Sequence, residues 1–132
     1  MRVLFVCTGN TCRSPLAEVL AKAARPEWET RSRGLAADDG AGASAYAAEA
    51  AKERGCGLIR HAARQLSEED LLWSDVVYGM TAAHVSVLRN AYPAHAGKIR
   101  TLPGGDVPDP FGGELSDYRA CAARLAEDIE TL

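Results

Sequence analysis

The chain has 132 residues, a length that suits one domain over residues 1–132, burying about two-thirds of the surface of its unfolded chain. Its net charge of −3 and its lack of any basic stripe argue against nucleic acid as a partner. The first apolar run is only four residues long, and no run approaches the roughly 18 residues of a membrane span. We therefore expect no signal peptide and no membrane contact. A cytoplasmic location is expected, in which the four cysteines are reduced.

The first predicted strand covers residues 2–6, because Val3–Val6 is an unbroken apolar run. A helix is predicted over residues 15–24, with Ser14 as its N-cap and Pro15 at its first position. Between them lies the most informative segment of the chain, Cys7-Thr8-Gly9-Asn10-Thr11-Cys12-Arg13-Ser14-Pro15. A strand, a short loop and a helix start in this order predict a phosphate-binding loop with a nucleophile at its base.

The loop can supply each group that a phosphoryl group needs, namely inward backbone N–H groups, a helix N-terminus and a fixed cation. Gly9 and Asn10 tolerate the left-handed backbone angles that let a short loop curl. Arg13 offers a planar fork to two phosphoryl oxygens, and with the helix N-terminus it favours the thiolate of Cys7, the predicted nucleophile. The alternative is a buried strand-end cysteine beside a chance arginine. The predicted phosphate site comprises Thr8, Gly9, Asn10, Thr11, Cys12, Arg13 and Ser14.

Later segments alternate between strands and helices. Strands are predicted around residues 30–32, 75–80 and 98–102. Three further helices are predicted: one covers about 45–54, a short one follows a capping box at Ser67–Asp70, and one lies between Thr81 and Pro93. The last helix has one apolar face, formed by Tyr118, Cys121, Ala122, Leu125 and Ile129. This alternation predicts a single α/β domain with a four-stranded parallel sheet and helices on both faces, and it places the ligand at the carboxyl ends of the strands.

A proton donor for the leaving group is predicted in the loop over residues 103–113, whose Pro, Gly and Asp residues exclude helix and inner strand. Asp109 lies between two prolines that stiffen the backbone presenting its carboxylate. Asp106 is the competing acid and reads as an ordinary turn aspartate. We therefore predict Asp109 as the general acid.

The sequence also suggests a redox role for two of the cysteines and structural roles for the other cysteines and the histidines. The spacing of Cys7 and Cys12 within one curled loop suggests a reversible disulfide that shields the thiolate from over-oxidation. Cys56 and Cys121 are predicted to be structural. The histidines, His61, His84 and His95, show no metal-ligand spacing and are predicted to be surface or capping residues, so neither a metal nor a cofactor is expected.

With these motifs, the chain resembles the low-molecular-weight protein tyrosine phosphatase family, and the resemblance covers essentially its whole length. That family has a Cys-x5-Arg-Ser-Pro loop after its first strand and an acid in a distant Asp-Pro loop. The resemblance implies that Ser14 hydrogen-bonds the Cys7 sulfur and that Asn10 orders the loop, although both could be purely structural. One departure is Arg33, which stands in Ser32-Arg33-Gly34 where the family usually has Ser-Ala-Gly, and its cationic side chain is expected to alter the site entrance.

Within the family, the chain is most similar to the protein-arginine phosphatase branch. Thr11 stands where tyrosine phosphatases usually carry an apolar residue, and Phe111 follows Asp109-Pro110 where they carry tyrosines. A phosphotyrosine ring needs aromatic walls, whereas a phosphoguanidinium needs acceptors such as Asp109 and the Thr11 hydroxyl. The alternatives are that Thr11 merely fills the loop and that Asp38 and Asp39, which could add negative potential at the mouth, form a solvated turn.

The resemblance implies two-step phosphoryl transfer without metal, through a phosphocysteine on Cys7, acting on phosphorylated proteins. Phosphoarginine is the first expectation for the substrate and phosphotyrosine the second. Two further alternatives are an arsenate reductase-type thiol oxidoreductase, which would need a relay of two more cysteines, and a non-catalytic phosphate-binding module, which would need no acid. The oligomeric state is not determined by the sequence, and a monomer is the working expectation.

Overall fold

Four parallel strands form one sheet, and helices cover both of its faces, as the sequence predicted. The computed structural model describes residues 1–132. The strands are β1 (Arg2–Cys7), β2 (Glu29–Gly34), β3 (Val76–Gly79) and β4 (Ile99–Thr101), in the spatial order β2-β1-β3-β4. The helices are α1 (Arg13–Ala24), α2 (Ala45–Glu53), α3 (Glu68–Trp73), α4 (Ala82–Ala91) and α5 (Leu115–Glu130), and a 3₁₀ turn spans Pro93–Lys98.

Strand β1 is central and separates two apolar cores. Alternate side chains of a strand point to opposite faces, so Val3, Phe5 and Cys7 join the larger core while Leu4 and Val6 join the smaller one. The larger core contains the inner faces of α1, α2 and α5, and the smaller one contains those of α3 and α4. Strand β1, which ends at Cys7, thus has helices packed against both of its faces.

Most of the predicted element boundaries agree with the structure within two residues. The capping box of Ser67 with Asp70 is present, and Thr81 caps α4 by accepting a hydrogen bond from the backbone N–H of His84 at 3.1 Å. All five residues of the predicted apolar face of α5 are buried. No helix is both long enough and apolar enough to cross a membrane.

The predicted N-cap of the first helix was wrong. Helix α1 begins at Arg13, and Cys12 rather than Ser14 occupies the N-cap position, with no side-chain cap. Ser14 is fully buried inside the first turn and its hydroxyl points back at the loop, because tertiary partners there outcompete a local cap. The N-terminus of α1 nevertheless faces the loop, as predicted.

Candidate active site

The carboxyl end of β1 opens into a cavity of about 210 Å³ that contains the predicted nucleophile, cation and acid together. Of the predicted phosphate-binding residues, Asn10 and Ser14 lie behind the loop rather than on the cavity wall. The lining residues are Cys7, Thr8, Gly9, Thr11, Cys12, Arg13, Asp109 and Phe111.

The backbone of the loop is oriented so that its carbonyls bind protein while its amides do not. Leu35 and Ala36 donate to the carbonyls of Cys7 and Thr8 at 2.9 Å each, and Ser44 donates to the carbonyl of Thr11 at 3.0 Å. The backbone N–H groups of residues 8–12 donate no hydrogen bond within the chain. A curl of unpartnered N–H groups at a helix N-terminus is a binding site for an anion such as phosphate.

Asn10 holds this curl in place and is fully buried. It is the only non-glycine residue with a positive φ, 56°, whereas Gly9 keeps a negative φ, so the left-handed residue of the loop is the asparagine. Its side chain donates to Ser14 Oγ at 2.8 Å and accepts from the backbone N–H of Arg64 at 3.0 Å. His61 Nε2 lies 2.7 Å from the Asn10 carbonyl oxygen.

Gly34 forms the floor of the loop and pairs with Cys7 across β2 and β1. A Cβ on Gly34 would lie 2.6 Å from the Thr8 carbonyl oxygen and 3.1 Å from the Asn10 Cβ. Only glycine therefore lets β2 approach the loop this closely.

The sulfur of Cys7 has a hydroxyl neighbour, since Ser14 Oγ lies 2.9 Å from Cys7 Sγ. Asn10 already donates a proton to Ser14 Oγ, which leaves the Ser14 proton free to point at the sulfur. A hydroxyl donor at this position stabilises a thiolate.

Arg13 and Asp109 meet across the cavity. The Arg13 side chain is buried, its Nη1 donates to the Val107 carbonyl at 3.0 Å, and its Nη2 lies 3.5 Å from Asp109 Oδ2. The Asp109 side chain is 53% exposed, so its carboxylate is accessible to solvent. Asp106 instead accepts from the Ala82 backbone N–H at 2.8 Å, at the start of α4, which supports the choice of Asp109 as the acid.

The entrance differs in part from the sequence prediction. Arg33 was expected to alter it, but its Nε lies 3.1 Å from both carboxylate oxygens of the buried Asp70, which turns its side chain to the β2 and α3 side of the molecule. Asp39 lies in an exposed turn, and its carboxylate accepts from the Gln65 backbone N–H at 2.8 Å. Phe111 is 75% exposed and is the only aromatic residue that lines the cavity.

Cys12 lines the cavity and also makes a set of polar contacts that the sequence did not reveal. Its Sγ lies 3.0 Å from Ser44 Oγ and 3.8 Å from the Tyr118 hydroxyl. Burial, followed by the contact with Cys12, raises the pKa of Tyr118. All four cysteines are free thiols, so the structure shows the reduced state in which the proposed Cys7–Cys12 disulfide is not formed.

The other two cysteines are not nucleophile candidates. Burial raises the pKa of Cys121 to about 12 and also raises that of Cys56. Cys121 lines a larger cavity of about 500 Å³ between α5 and the loop that carries Asp109. Asp117 and Arg124 line the same cavity. A thiol that stays protonated cannot act as the nucleophile there.

Two histidines contact the loop, contrary to the prediction that all three are surface or capping residues. His61 bonds the Asn10 carbonyl, and the buried His84 places Nε2 2.9 Å from Thr8 Oγ1. The contact with Thr8 spans 76 residues of chain, so no local pattern could have revealed it. Nowhere do three histidine, cysteine or carboxylate side chains gather as metal ligands.

Comparison with known proteins agrees with this geometry. The family model described as low molecular weight phosphotyrosine protein phosphatase matches residues 2–132. A protein-arginine-phosphatase of Geobacillus stearothermophilus is 38% identical over 98% of this chain and 97% of its own length. The low molecular weight protein-tyrosine-phosphatase PtpB of Staphylococcus haemolyticus is 42% identical over 95% of this chain and 92% of its own. Among solved structures, a low molecular weight protein tyrosine phosphatase from T. tengcongensis superposes with a TM-score of 0.94 at 43% identity, covering 98% of this chain and 95% of that one.

Proposed function

Because the chain belongs to the low molecular weight phosphotyrosine protein phosphatase family, we propose that this phosphatase hydrolyses phosphoarginine on proteins through a phosphocysteine intermediate on Cys7. The observation that carries the proposal is that Cys7, Thr11 and Asp109 line one cavity together with a loop whose backbone N–H groups have no partner in the chain.

In the first half-reaction, the Cys7 thiolate attacks phosphorus and the P–N bond to the guanidinium breaks. The free amides of the loop and the Arg13 guanidinium hold the three equatorial phosphoryl oxygens as charge develops on them. Asp109 donates its proton to the departing nitrogen, and the products are a phosphocysteine and an unmodified arginine.

In the second half-reaction, the Asp109 carboxylate accepts a proton from water, which attacks phosphorus and breaks the S–P bond. Cys7 leaves as a thiolate, and inorganic phosphate is released. The Ser14 hydroxyl, 2.9 Å from the sulfur, stabilises the departing thiolate in this step. Asp109 thus serves as acid and then as base, and its exposed position gives it access to water.

The lining of the cavity favours phosphoarginine over phosphotyrosine. A phosphoguanidinium presents N–H donors, and two of the residues that line the cavity, Asp109 and Thr11, carry acceptor oxygens in their side chains. Acceptors that are buried by a ligand without matching donors lose free energy, so this pairing discriminates against a phenyl ring. A relative at 38% identity is itself named protein-arginine-phosphatase.

Phosphotyrosine is the second candidate, and Phe111 is the observation that favours it. Its exposed ring lines the cavity and could stack against a phenyl ring. A relative at 42% identity is named a protein-tyrosine-phosphatase, so family membership alone does not choose between the two substrates.

The deciding experiment compares kcat/KM on phosphoarginine and phosphotyrosine peptides for the native chain, Thr11→Ser and Thr11→Ile, with Cys7→Ser as the blank. We expect a phosphoarginine preference of at least tenfold, about 1.4 kcal/mol of differential transition-state binding, in the native chain and in Thr11→Ser, which keeps the hydroxyl. Thr11→Ile is expected to lose that preference. A phosphotyrosine preference that is indifferent to residue 11 would refute the phosphoarginine assignment.

We further propose phosphorylated proteins in the cytoplasm as the substrates. The proposal is supported by the proposed role of Cys7, because a thiolate nucleophile requires a compartment that keeps thiols reduced.

A further inference from the structure

The hydrogen bond between Thr8 and His84 joins the phosphate-binding loop to helix α4. Thr8 directly follows the nucleophile and lines the cavity, and its Oγ1 lies 2.9 Å from His84 Nε2. His84 is only 8% exposed, so its ring cannot exchange this partner for bulk water. None of the reaction steps described above uses His84.

The fold places this imidazole through two features of the chain between β3 and α4. A Cβ on Gly79 would lie 2.9 Å from Val85 Cγ2 and 3.2 Å from His84 Cβ, so only glycine lets the first turn of α4 pack this close to β3. Thr81 then accepts from the His84 backbone N–H at 3.1 Å and fixes where the helix begins. The position of His84 is thus determined by packing on one side and capping on the other.

The surroundings of the ring favour its neutral form. Burial, reinforced by the positive charge of Arg13, lowers the pKa of His84, while the carboxylates of Asp109 and Asp106 oppose that shift. Nδ1 is buried and has no hydrogen-bond partner. A buried N–H without an acceptor is rarer in proteins than an unpaired acceptor, so the proton of the neutral ring belongs on Nε2, which has a partner.

With the proton on Nε2, His84 donates to Thr8 Oγ1. The Thr8 oxygen then serves as an acceptor for the imidazole, and its own O–H is free to point into the cavity. The groups that can take this proton there are anionic, first among them an oxygen of a bound phosphoryl group. A fixed hydroxyl donor beside the attacking sulfur adds to the loop amides and to Arg13.

We propose that His84 is a positioning residue that orients the Thr8 hydroxyl as a hydrogen-bond donor to a phosphoryl oxygen. The proposal rests on the proposed phosphoryl transfer at Cys7, and it adds a residue from α4 to the set that determines the rate.

The test is a double-mutant cycle on hydrolysis of p-nitrophenyl phosphate, with His84→Leu, Thr8→Val and the double variant. His84→Leu is expected to lower kcat about tenfold with a smaller change in KM, and to have no further effect once Thr8 has lost its hydroxyl. His84→Gln, whose side-chain amide can still donate to Thr8, is expected to recover most of the lost rate. The matched control is His95→Gln, because His95 lies away from the cavity beside the exposed Glu68 and should leave kcat unchanged.

Two results would overturn the proposal. One is an equal effect of His84→Leu with and without the Thr8 hydroxyl, which would assign His84 a purely structural role. The other is native kcat in His84→Leu. If the native chain itself turns over neither p-nitrophenyl phosphate nor phosphoarginine, the proposed function fails instead, and the same cycle is then read from the affinity for inorganic phosphate by calorimetry. If the two substitutions show no coupling in phosphate affinity, the Thr8–His84 inference is overturned independently of the proposed function.

Discussion

The hydroxyl of Ser14 lies 2.9 Å from the sulfur of Cys7 and is itself held by the buried Asn10, whose side-chain amide donates to it at 2.8 Å. The Ser14 oxygen beside the nucleophile is therefore held by a second buried hydrogen bond, which would break if the side chain moved away from the sulfur. These two contacts connect Asn10, the left-handed residue of the loop, to the Cys7 sulfur through Ser14.

Ser14→Ala is expected to slow release of the phosphoryl group from Cys7 more than it slows attack, because the leaving thiolate loses its donor. A hydrogen bond to a charged group contributes about 1.5–3 kcal/mol, so kcat should fall roughly tenfold to a hundredfold. Rapid-quench kinetics with p-nitrophenyl phosphate should show a burst as the phosphoenzyme accumulates. The control is Ser44→Ala, whose hydroxyl contacts Cys12 instead. An unchanged kcat without a burst would contradict the role of Ser14.

Asp109→Asn is expected to lower kcat by about a hundredfold to a thousandfold on phosphoarginine, since the leaving nitrogen then lacks its proton donor. The loss should be smaller on p-nitrophenyl phosphate, whose leaving group needs less protonation. Asp106→Asn keeps a side-chain oxygen that can accept from the Ala82 N–H but loses the negative charge at the start of α4, so Tm should fall slightly while kcat stays native. Equal losses of kcat in the two variants would count against Asp109 as the acid.

Gly34→Ala is expected to destabilise the protein by about 1–3 kcal/mol and to weaken phosphate binding, because the new methyl group would displace the Thr8 carbonyl that it meets at 2.6 Å. Gly57→Ala provides the control, since nothing lies within 4 Å of the added carbon and its φ is not positive. Chemical denaturation and phosphate titration of both variants measure the effect. Similar stability and affinity in the two would show that the loop floor tolerates a side chain.

Mild peroxide is expected to link Cys7 and Cys12, which belong to the same loop and are both free thiols in the reduced protein. Mass spectrometry should show the loss of two hydrogens from the peptide holding both cysteines, and thiol reductant should restore activity. Cys12→Ser should instead pass to irreversibly oxidised Cys7 under the same treatment. Reversible inactivation of Cys12→Ser to the native extent would rule out the bridge.

Stability should depend on pH through His84. Burial and Arg13 lower its folded-state pKa below the ordinary 6.5, so between these two pKa values the unfolded chain binds more protons than the folded one. Stability from this group is therefore complete above about pH 6.5, falls as pH drops through that value, and levels off below the folded-state pKa. Between pH of about 7.5 and about 5.5, the native chain should lose more Tm than His84→Gln. Parallel losses would show that His84 does not contribute.

The sequence predicted the parts of the site that depend on local chemistry. The residues from Cys7 to Arg13 follow a strand directly, so the order of residue types there defines the loop. Asp109 could be distinguished from Asp106 as the candidate acid because only Asp109 has a proline on each side. The left-handed turn was narrowed to Gly9 or Asn10 by residue type, and the structure selects Asn10.

Ser14 is a residue type that favours N-caps, but its hydroxyl contacts Cys7 and Asn10 of the same loop, and only the contact with Cys7 was implied by the family resemblance. The remaining features depend on contacts between distant segments. Arg33 pairs with Asp70 on α3, a contact across 37 residues that no spacing rule anticipates. His84 reaches Thr8 for the same reason, since parallel strands bring together loops that are far apart in the chain.

The nucleophile and the proton donor come from regions of very different solvent protection. Cys7 ends a strand whose residues from Val3 onward are almost completely buried, whereas Asp109 and Phe111 lie on an exposed loop rich in proline and glycine. Amide hydrogen exchange should therefore be slow in β1 and fast around Asp109. Under mild heating or low denaturant, proton donation should fail first, which leaves a protein that still captures phosphoryl groups but no longer turns them over.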